Sequence, residues 1–260
     1  MKIFLTLFQK EWLEAWRDKK LLWLPIVMIL TAVSQPIALY YMADVLEGAG
    51  NLPEGSVIEI PLPSGEEVLA STLSQFDIIG TAIVVLSVMG IISHERSSGA
   101  LALVMARPVA ALHYIASKWL AYAFILIFSF TVSYGFAYYY TIHLFQGVSL
   151  GRFFASSAIY CLWILFVMTV TLTVGTMIKK TGGIAGVSLL LAAGLSLLSS
   201  LFPEYMKWSP ANASRKANQF LLTGEWGDAF YPAVIASSFL IMGLFMLAIL
   251  LFKRFESFAA

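Results

Sequence analysis

Six long apolar segments constrain this chain more than any other feature, because about 20 apolar residues suffice to cross a bilayer as a helix. Runs of this kind lie at residues 21–43, 76–93, 119–142, 153–178, 184–202 and 232–252. Hydrophobic residues make up 60% of the chain and charged residues 12%. That is about half the charge of an ordinary soluble domain. We therefore expect an all-α membrane protein, a single transmembrane domain over residues 1–260 with six transmembrane helices.

The distribution of basic residues predicts the orientation of these helices. Six crossings place both termini on one side, and that side carries twelve of the sixteen Lys and Arg residues. The other side carries four, namely Arg152, Lys207, Arg215 and Lys216. Basic residues are retained on the cytoplasmic face of a membrane. The sequence thus predicts a multi-pass protein of the cell (plasma) membrane, surrounded by lipid bilayer, with cytoplasmic N- and C-termini.

Residues 2–20 precede the first apolar run and have the pattern of an amphipathic helix. Aromatic residues recur at every fourth position, at Phe4, Phe8, Trp12 and Trp16. Charged residues such as Lys10 and Glu14 fall on the opposite face. A helix of this kind lies in the plane of the lipid headgroups. The alternative is a cytoplasmic extension of the first span. Acidic residues in this segment argue against a cleaved signal peptide.

The sequence lacks the residues that several classes of function require. A net charge of +1 argues against nucleic-acid binding, and the single cysteine, Cys161, allows no internal disulfide. No G-x-x-x-x-G-K-[ST] motif is present, so we expect no nucleotide bound in the P-loop manner. The three histidines are far apart in sequence, so we also expect no metal or other cofactor in this chain and no catalytic residue. The tract 147–151, GVSLG, matches the hydrolase pattern around Ser149 but follows no strand. No predicted span carries Lys, Arg, Asp or Glu at mid-depth, which argues against ion-coupled transport.

The segment between the second and third runs, residues 94–109, reads HERSSGALALVMARPV. Arg96 ends the second span because a charged side chain in the bilayer is costly. Ser97 or Ser98 can cap a short apolar helix that begins near Ala100, and Arg107–Pro108 stops it. Apolar side chains exposed at the cytoplasmic surface indicate a protein partner. In the alternative reading they simply rest on lipid.

This segment resembles a signature of ABC-2 type transporter permeases, E-x-x-x-G-[TS]-L followed by R-P-[VI] and a lysine. The matching residues are Glu95, Gly99, Leu101, Arg107, Pro108, Val109 and Lys118. The chain is most similar to the six-helix exporter branch that includes the permease for nitrous-oxide reductase maturation. It departs from the signature at Ala100, Ala102 and Ala111, where Thr or Ser, an acidic residue and Arg are usual.

The resemblance implies that residues 94–109 form a coupling helix, which docks into a separate cytosolic ABC ATPase that binds ATP and Mg²⁺. The residues expected to take part are Glu95, Arg96, Gly99, Leu101, Leu103, Arg107 and Pro108. A second permease copy or a paralogue completes the transporter. With no charged or metal-binding group in the spans, the expected cargo is an exported amphipathic or lipophilic molecule such as a peptide, antibiotic or lipid.

Three other functions stay open from the residues alone. A secondary carrier or channel would move its substrate without an ATPase. A membrane-bound assembly or sensor subunit would bind partners without transport. An intramembrane hydrolase would depend on a nucleophile such as Ser149.

Overall fold

A computed structural model of the chain describes residues 2–42, 45, 62–106, 109–145, 147–227 and 230–256. Most of the backbone in these residues is helical, and none of them lies in a strand. The helices are α1 (Lys2–Arg17), α2 (Lys20–Tyr40), α3 (Gly65–Gln75), α4 (Thr81–Val88), α5 (Ser93–Ser97), α6 (Ala100–Met105), α7 (Ala111–Leu144), α8 (Leu150–Met177), α9 (Thr181–Leu201), α10 (Ala211–Thr223) and α11 (Phe230–Glu256). A π-helical turn, Phe76–Gly80, joins α3 to α4.

Six helical runs in the described residues are long and apolar enough to cross a membrane, which confirms the predicted fold class. They are Lys20–Tyr40, Gly65–Ser97, Ala111–Leu144, Leu150–Met177, Thr181–Leu201 and Phe230–Arg254. The N-terminal segment is helical as α1, with Trp12 and Trp16 exposed. Its position in the headgroup plane stays a prediction.

The second span differs from its expected bounds, because its helical run begins at Gly65 rather than near Phe76. Ser64 starts α3 with a reciprocal capping box. Its hydroxyl accepts a hydrogen bond from the Glu67 N–H (3.3 Å), while its own N–H donates to Glu67 Oε2 (2.8 Å). These two bonds satisfy backbone and side-chain groups that would otherwise need water at the helix start. Residues 65–75, which precede the predicted run 76–93, thus belong to the helix.

The core is built around α8, which contacts α4, α7, α9, α10 and α11. At one end of the bundle, here called the α1 end, α1 packs against α7 beside the connector helices α5 and α6. At the opposite, α10 end, α10 packs across α3 and the start of α8. The segment between the fifth and sixth spans, which the sequence leads us to expect as one or two short helices, contains α10.

Candidate functional site

The connector between the second and third spans forms two short helices at the α1 end. Helix α5 ends at Ser97, and Gly99 turns the chain into α6 with φ of +75°. Only glycine adopts this left-handed conformation without steric cost. The predicted apolar helix is thus present at Ala100–Met105. The residue at the start of α6 is Gly99, and no side chain caps the helix, so the predicted cap by Ser97 or Ser98 is wrong. Ser98 Oγ makes only a long contact with the Ala100 nitrogen, at 3.5 Å.

Helix α6 presents one face to the protein and the other to its surroundings. Leu101 is buried in the core at 3% exposure, whereas Leu103, two positions later, is 76% exposed. Val104 and Met105 are half-buried against the core. A helix anchored in this way holds a large apolar side chain where another surface can cover it. Arg107 and Pro108 lie outside the described residues, so their predicted roles remain predictions.

A buried cluster of charges fixes the beginning of the connector. The ammonium of Lys118 on α7 contacts Glu11 Oε1 of α1 and Glu95 Oε1 of α5, each at 2.9 Å. It also donates to the Ile91 carbonyl oxygen at 3.3 Å. The Lys118 side chain is fully buried, and those of Glu11 and Glu95 are 3% and 4% exposed. One lysine therefore joins three separate helices.

Further donors complete the cluster around Glu95. The Tyr114 hydroxyl donates to Glu95 Oε2, and the Lys10 ammonium contacts Glu95 Oε1. Lys10 also pairs with Glu14 Oε2 at 3.1 Å, and Lys118 lies 4.9 Å from the centroid of the Tyr114 ring. Both carboxylate oxygens of Glu95 are thus paired. Removing one partner from such a buried set costs about 3–5 kcal/mol, because the remaining charge is left uncompensated.

Comparison with known proteins identifies the family. A family model described as "ABC-2 family transporter protein" matches residues 5–255. The chain belongs to the ABC-2 transporter family. It is also similar to the "Uncharacterized transmembrane protein YxlG" of Bacillus subtilis (strain 168), at 45% identity over 258 residues. That match covers 99% of this chain and 100% of the relative. The resemblance seen in the connector motif is thereby confirmed.

Arg96 ties the connector of this ABC-2 family protein to the fourth span. Its guanidinium donates to the Thr176 carbonyl oxygen (3.2 Å) and the Ile178 carbonyl oxygen (3.4 Å) at the end of α8. A cation is favourable there because a helix C-terminus carries a partial negative charge. Nearby, the hydroxyls of Ser93 and Thr181 lie 3.1 Å apart. The connector is thus fixed to α8 and α9 as well as to α1 and α7.

The predicted coupling residues therefore divide into two groups. Glu95, Arg96 and Leu101 face the protein, whereas Gly99 and Leu103 are exposed. The sequence analysis missed Glu11 and Tyr114, and it identified Lys118 only as the lysine of the ABC-2 signature, not as the centre of a buried cluster. The one signal for this cluster in the sequence was the lysine of the ABC-2 signature, Lys118. Its partners are 23 and 107 positions away in sequence, so spacing could not indicate them.

Three carboxylates of this cluster, Glu11, Glu14 and Glu95, lie within 4.8 Å of one another and could in principle hold a metal ion. The ammonium groups of Lys10 and Lys118 already contact them. Two cations among three carboxylates favour an ion-pair network over a metal site. The cluster therefore holds α1, α5 and α7 together.

Proposed function

We propose that this chain is the permease subunit of an ATP-driven ABC exporter, coupled to a separate cytosolic ATPase through residues 94–109. The observation that carries the proposal is the connector helix α6, anchored by buried Leu101 and presenting exposed Leu103. ATP and Mg²⁺ belong to the partner in this proposal. Membership of the ABC-2 family supports it.

The buried charges supply a path for the motion. A force on α6 acts on α5 through the Gly99 turn. From α5 it reaches α1 and α7 through Glu95, and α8 through Arg96. Coupling needs a contiguous element that both sites move. The paired charges keep these helices together while the bundle changes shape.

The proposed orientation puts the α1 end in the cytoplasm of a cell-membrane protein, together with both termini. It is supported by the excess of Lys and Arg on that side of the sequence. Lys10, Arg96 and Lys118 lie at the α1 end, whereas Arg215 lies on α10 at the other. An ATPase beneath the membrane would then meet α6 directly.

A second permease copy or a paralogue is part of the proposal. Helix α9 supports it because much of its surface is exposed within this chain. Gly182 and Gly186 lie four residues apart, and a Cβ on either would meet no atom within 4 Å. Small residues at this spacing allow a second helix to approach closely. An amphipathic or lipophilic cargo would move along the path between the two subunits.

The test is to purify the tagged chain from its native membranes and to measure P-loop ATPase retention and ATP-dependent efflux. Leu103→Glu should release the ATPase and abolish efflux, because it places a charge in an apolar contact. Leu222→Glu is the matched control, since Leu222 is also exposed (49%) but lies on α10. It should retain both activities.

Two results would contradict the proposal. One is the absence of any co-purifying ATPase with the unaltered chain, and the other is full retention by Leu103→Glu. Efflux driven by an ion gradient alone would indicate a carrier or channel. Stable partner binding without efflux would indicate an assembly or sensor subunit.

A further inference from the structure

A cavity of about 620 Å³ lies at the α10 end, away from the connector. It is lined by residues of the π-helical turn, α4, α8, α9 and α10, and it is partly open to its surroundings. Cavities of this size hold ligands of several hundred daltons, and a few polar groups among apolar walls orient them. Most of the walls here are apolar, formed by Ile78, Ala82, Trp163, Leu189 and Leu197 among others.

Asp77 is the acidic residue on this cavity wall. Ser214 donates to its Oδ2 at 2.5 Å, and the buried phenol of Tyr160 also interacts with the carboxylate. Its Oδ1 is buried and accepts no hydrogen bond from any residue that the structure describes. A buried charged oxygen without a donor is costly, and a ligand that brings a donor removes that cost.

The backbone around Asp77 is a π-helical turn rather than a continuous α-helix. Gly80 permits it, because a Cβ there would lie 2.5 Å from Phe76 Cδ1. The Phe76 ring is fully enclosed and packs edge-on against Phe130, with centroids 5.5 Å apart. Turns of this type inside longer helices occur frequently at functional sites. The turn lies on the cavity wall together with Asp77 and Ile78.

Two further polar groups on the cavity wall are the Trp163 indole and the Arg215 guanidinium. Trp163 Nε1 donates to Thr81 Oγ1 at 3.1 Å, which fixes the indole ring on the wall. Arg215 also lines the cavity, is exposed, and forms no ion pair with any described residue. It therefore contributes a positive charge near Asp77 without neutralising it by direct contact.

We propose that this cavity binds an amphipathic ligand that carries a protonated amino group. The N–H donors bind Asp77, and the apolar part lies against Trp163 and the leucines of α9. The inference rests on the proposed function only in that the ligand would be the transported substrate. Arg215 weakens the site for simple monocations, because its charge opposes theirs.

The experiment uses the full chain in lipid nanodiscs and measures how far a ligand protects a cysteine in the cavity from alkylation. Ser196 lines the cavity, so Ser196→Cys in a Cys161→Ala background provides one reactive thiol. Its alkylation by a maleimide is followed with octylammonium, octanol or octyl sulfate present. These probes share one tail and differ in the head group. Tyr205→Cys, on an exposed turn (82%), controls for effects on the reagent.

We expect octylammonium to protect Ser196→Cys at a concentration at least about tenfold below that of octanol or octyl sulfate, since a hydrogen bond to a charged group is strong. Asp77→Asn should remove this advantage, because it keeps the shape and the Ser214 contact but not the charge. Arg215→Gln should shift protection by octylammonium to lower concentrations. Tyr205→Cys should not be protected by any of the probes.

Equal protection by octylammonium and octanol in the unaltered cavity would overturn the inference, and so would absence of protection by octylammonium. Neither result depends on Asp77→Asn folding correctly. No ATPase is present in this assay, so its failure leaves the proposed coupling untouched. Conversely, loss of the ATPase interaction would leave ligand binding at Asp77 standing.

Discussion

Glu95 and Asp77 lie on the same helical run, Gly65–Ser97, yet their carboxylates differ in how many of their oxygen atoms are paired. At the α1 end, both oxygens of Glu95 are paired by two lysines and a tyrosine. At the α10 end, Oδ2 of Asp77 accepts a hydrogen bond from Ser214 and Tyr160 interacts with the carboxylate, but Oδ1 has no hydrogen-bond donor among the described residues. A buried acid, Glu95, and a half-buried acid, Asp77, in one span thus have quite different electrostatic surroundings.

This difference is the basis for proposing a structural role for Glu95 and a binding role for Asp77. A buried charge that is fully paired contributes to a fixed arrangement of helices, and any missing partner is costly. A half-buried carboxylate with one shielded oxygen that accepts no hydrogen bond favours a ligand that brings a donor to it. In our proposals, the cluster at the α1 end therefore transmits the motion of the connector, and the cavity at the α10 end binds the ligand.

The largest expected effect comes from breaking the paired cluster. Lys118→Met leaves Glu11 and Glu95 without their shared cation, and we expect it to lower the free energy of unfolding by about 3–5 kcal/mol. Thermal unfolding in nanodiscs can be followed with a thiol-reactive dye, because Cys161 is the single cysteine. Lys253→Met, at an exposed lysine of α11, should leave the transition unchanged. Equal transitions for both variants would contradict a structural role for the cluster.

A second variant tests the contact between Arg96 and the end of α8 independently of the ion pairs. Arg96→Gln removes a charged donor from the carbonyl oxygens of Thr176 and Ile178, which should cost about 1.5–3 kcal/mol. Hydrogen exchange should rise at residues 176–181, where α8 ends and α9 begins. Arg96→Lys should recover part of the protection, because it keeps the cation. Unchanged exchange in Arg96→Gln would show that the ion cluster alone fixes the connector.

The six spans and the connector helix could be predicted because they depend on local patterns, the lengths of apolar runs and the position of charges. The start of α3 also had a local signal that was overlooked, since Ser64 and Glu67 have the spacing of a capping box. That omission placed Asp77 at the outer edge of the second span rather than within it.

The two sites themselves could not be predicted in this way. Lys118 meets Glu11, 107 positions away, only because α1 packs against α7. Asp77 meets Ser214, 137 positions away, only because α10 folds back over α3. Contacts between distant segments follow from helix packing, which hydropathy and spacing do not specify.

A smaller effect should sharpen the contrast between the two acids. Asp77→Asn keeps an acceptor for Ser214 and removes an incompletely paired charge. We therefore expect it to leave the free energy of unfolding unchanged or to raise it by about 1 kcal/mol. The thermal transition of the nanodisc-embedded chain, measured without added ligand, tests this. A loss of stability similar to that of Lys118→Met would mean that Asp77 is as fully paired as Glu95.

The smallest effect is a pH dependence at the edge of the paired cluster. Burial alone raises the pKa of Glu14, but the hydrogen bond and charge of Lys10, with the charges of Lys118 and Lys20, lower it overall. A carboxylate whose pKa is lowered by folding stabilises the protein above its unfolded pKa, and this stability is lost as pH falls through the folded value. Relative to Glu14→Gln, the unaltered chain should therefore lose its advantage below about pH 4.5. Glu225→Gln, at an exposed glutamate, should show no such change with pH. An advantage that grows as the solution becomes more acidic would mean that burial, not Lys10, dominates the environment of Glu14.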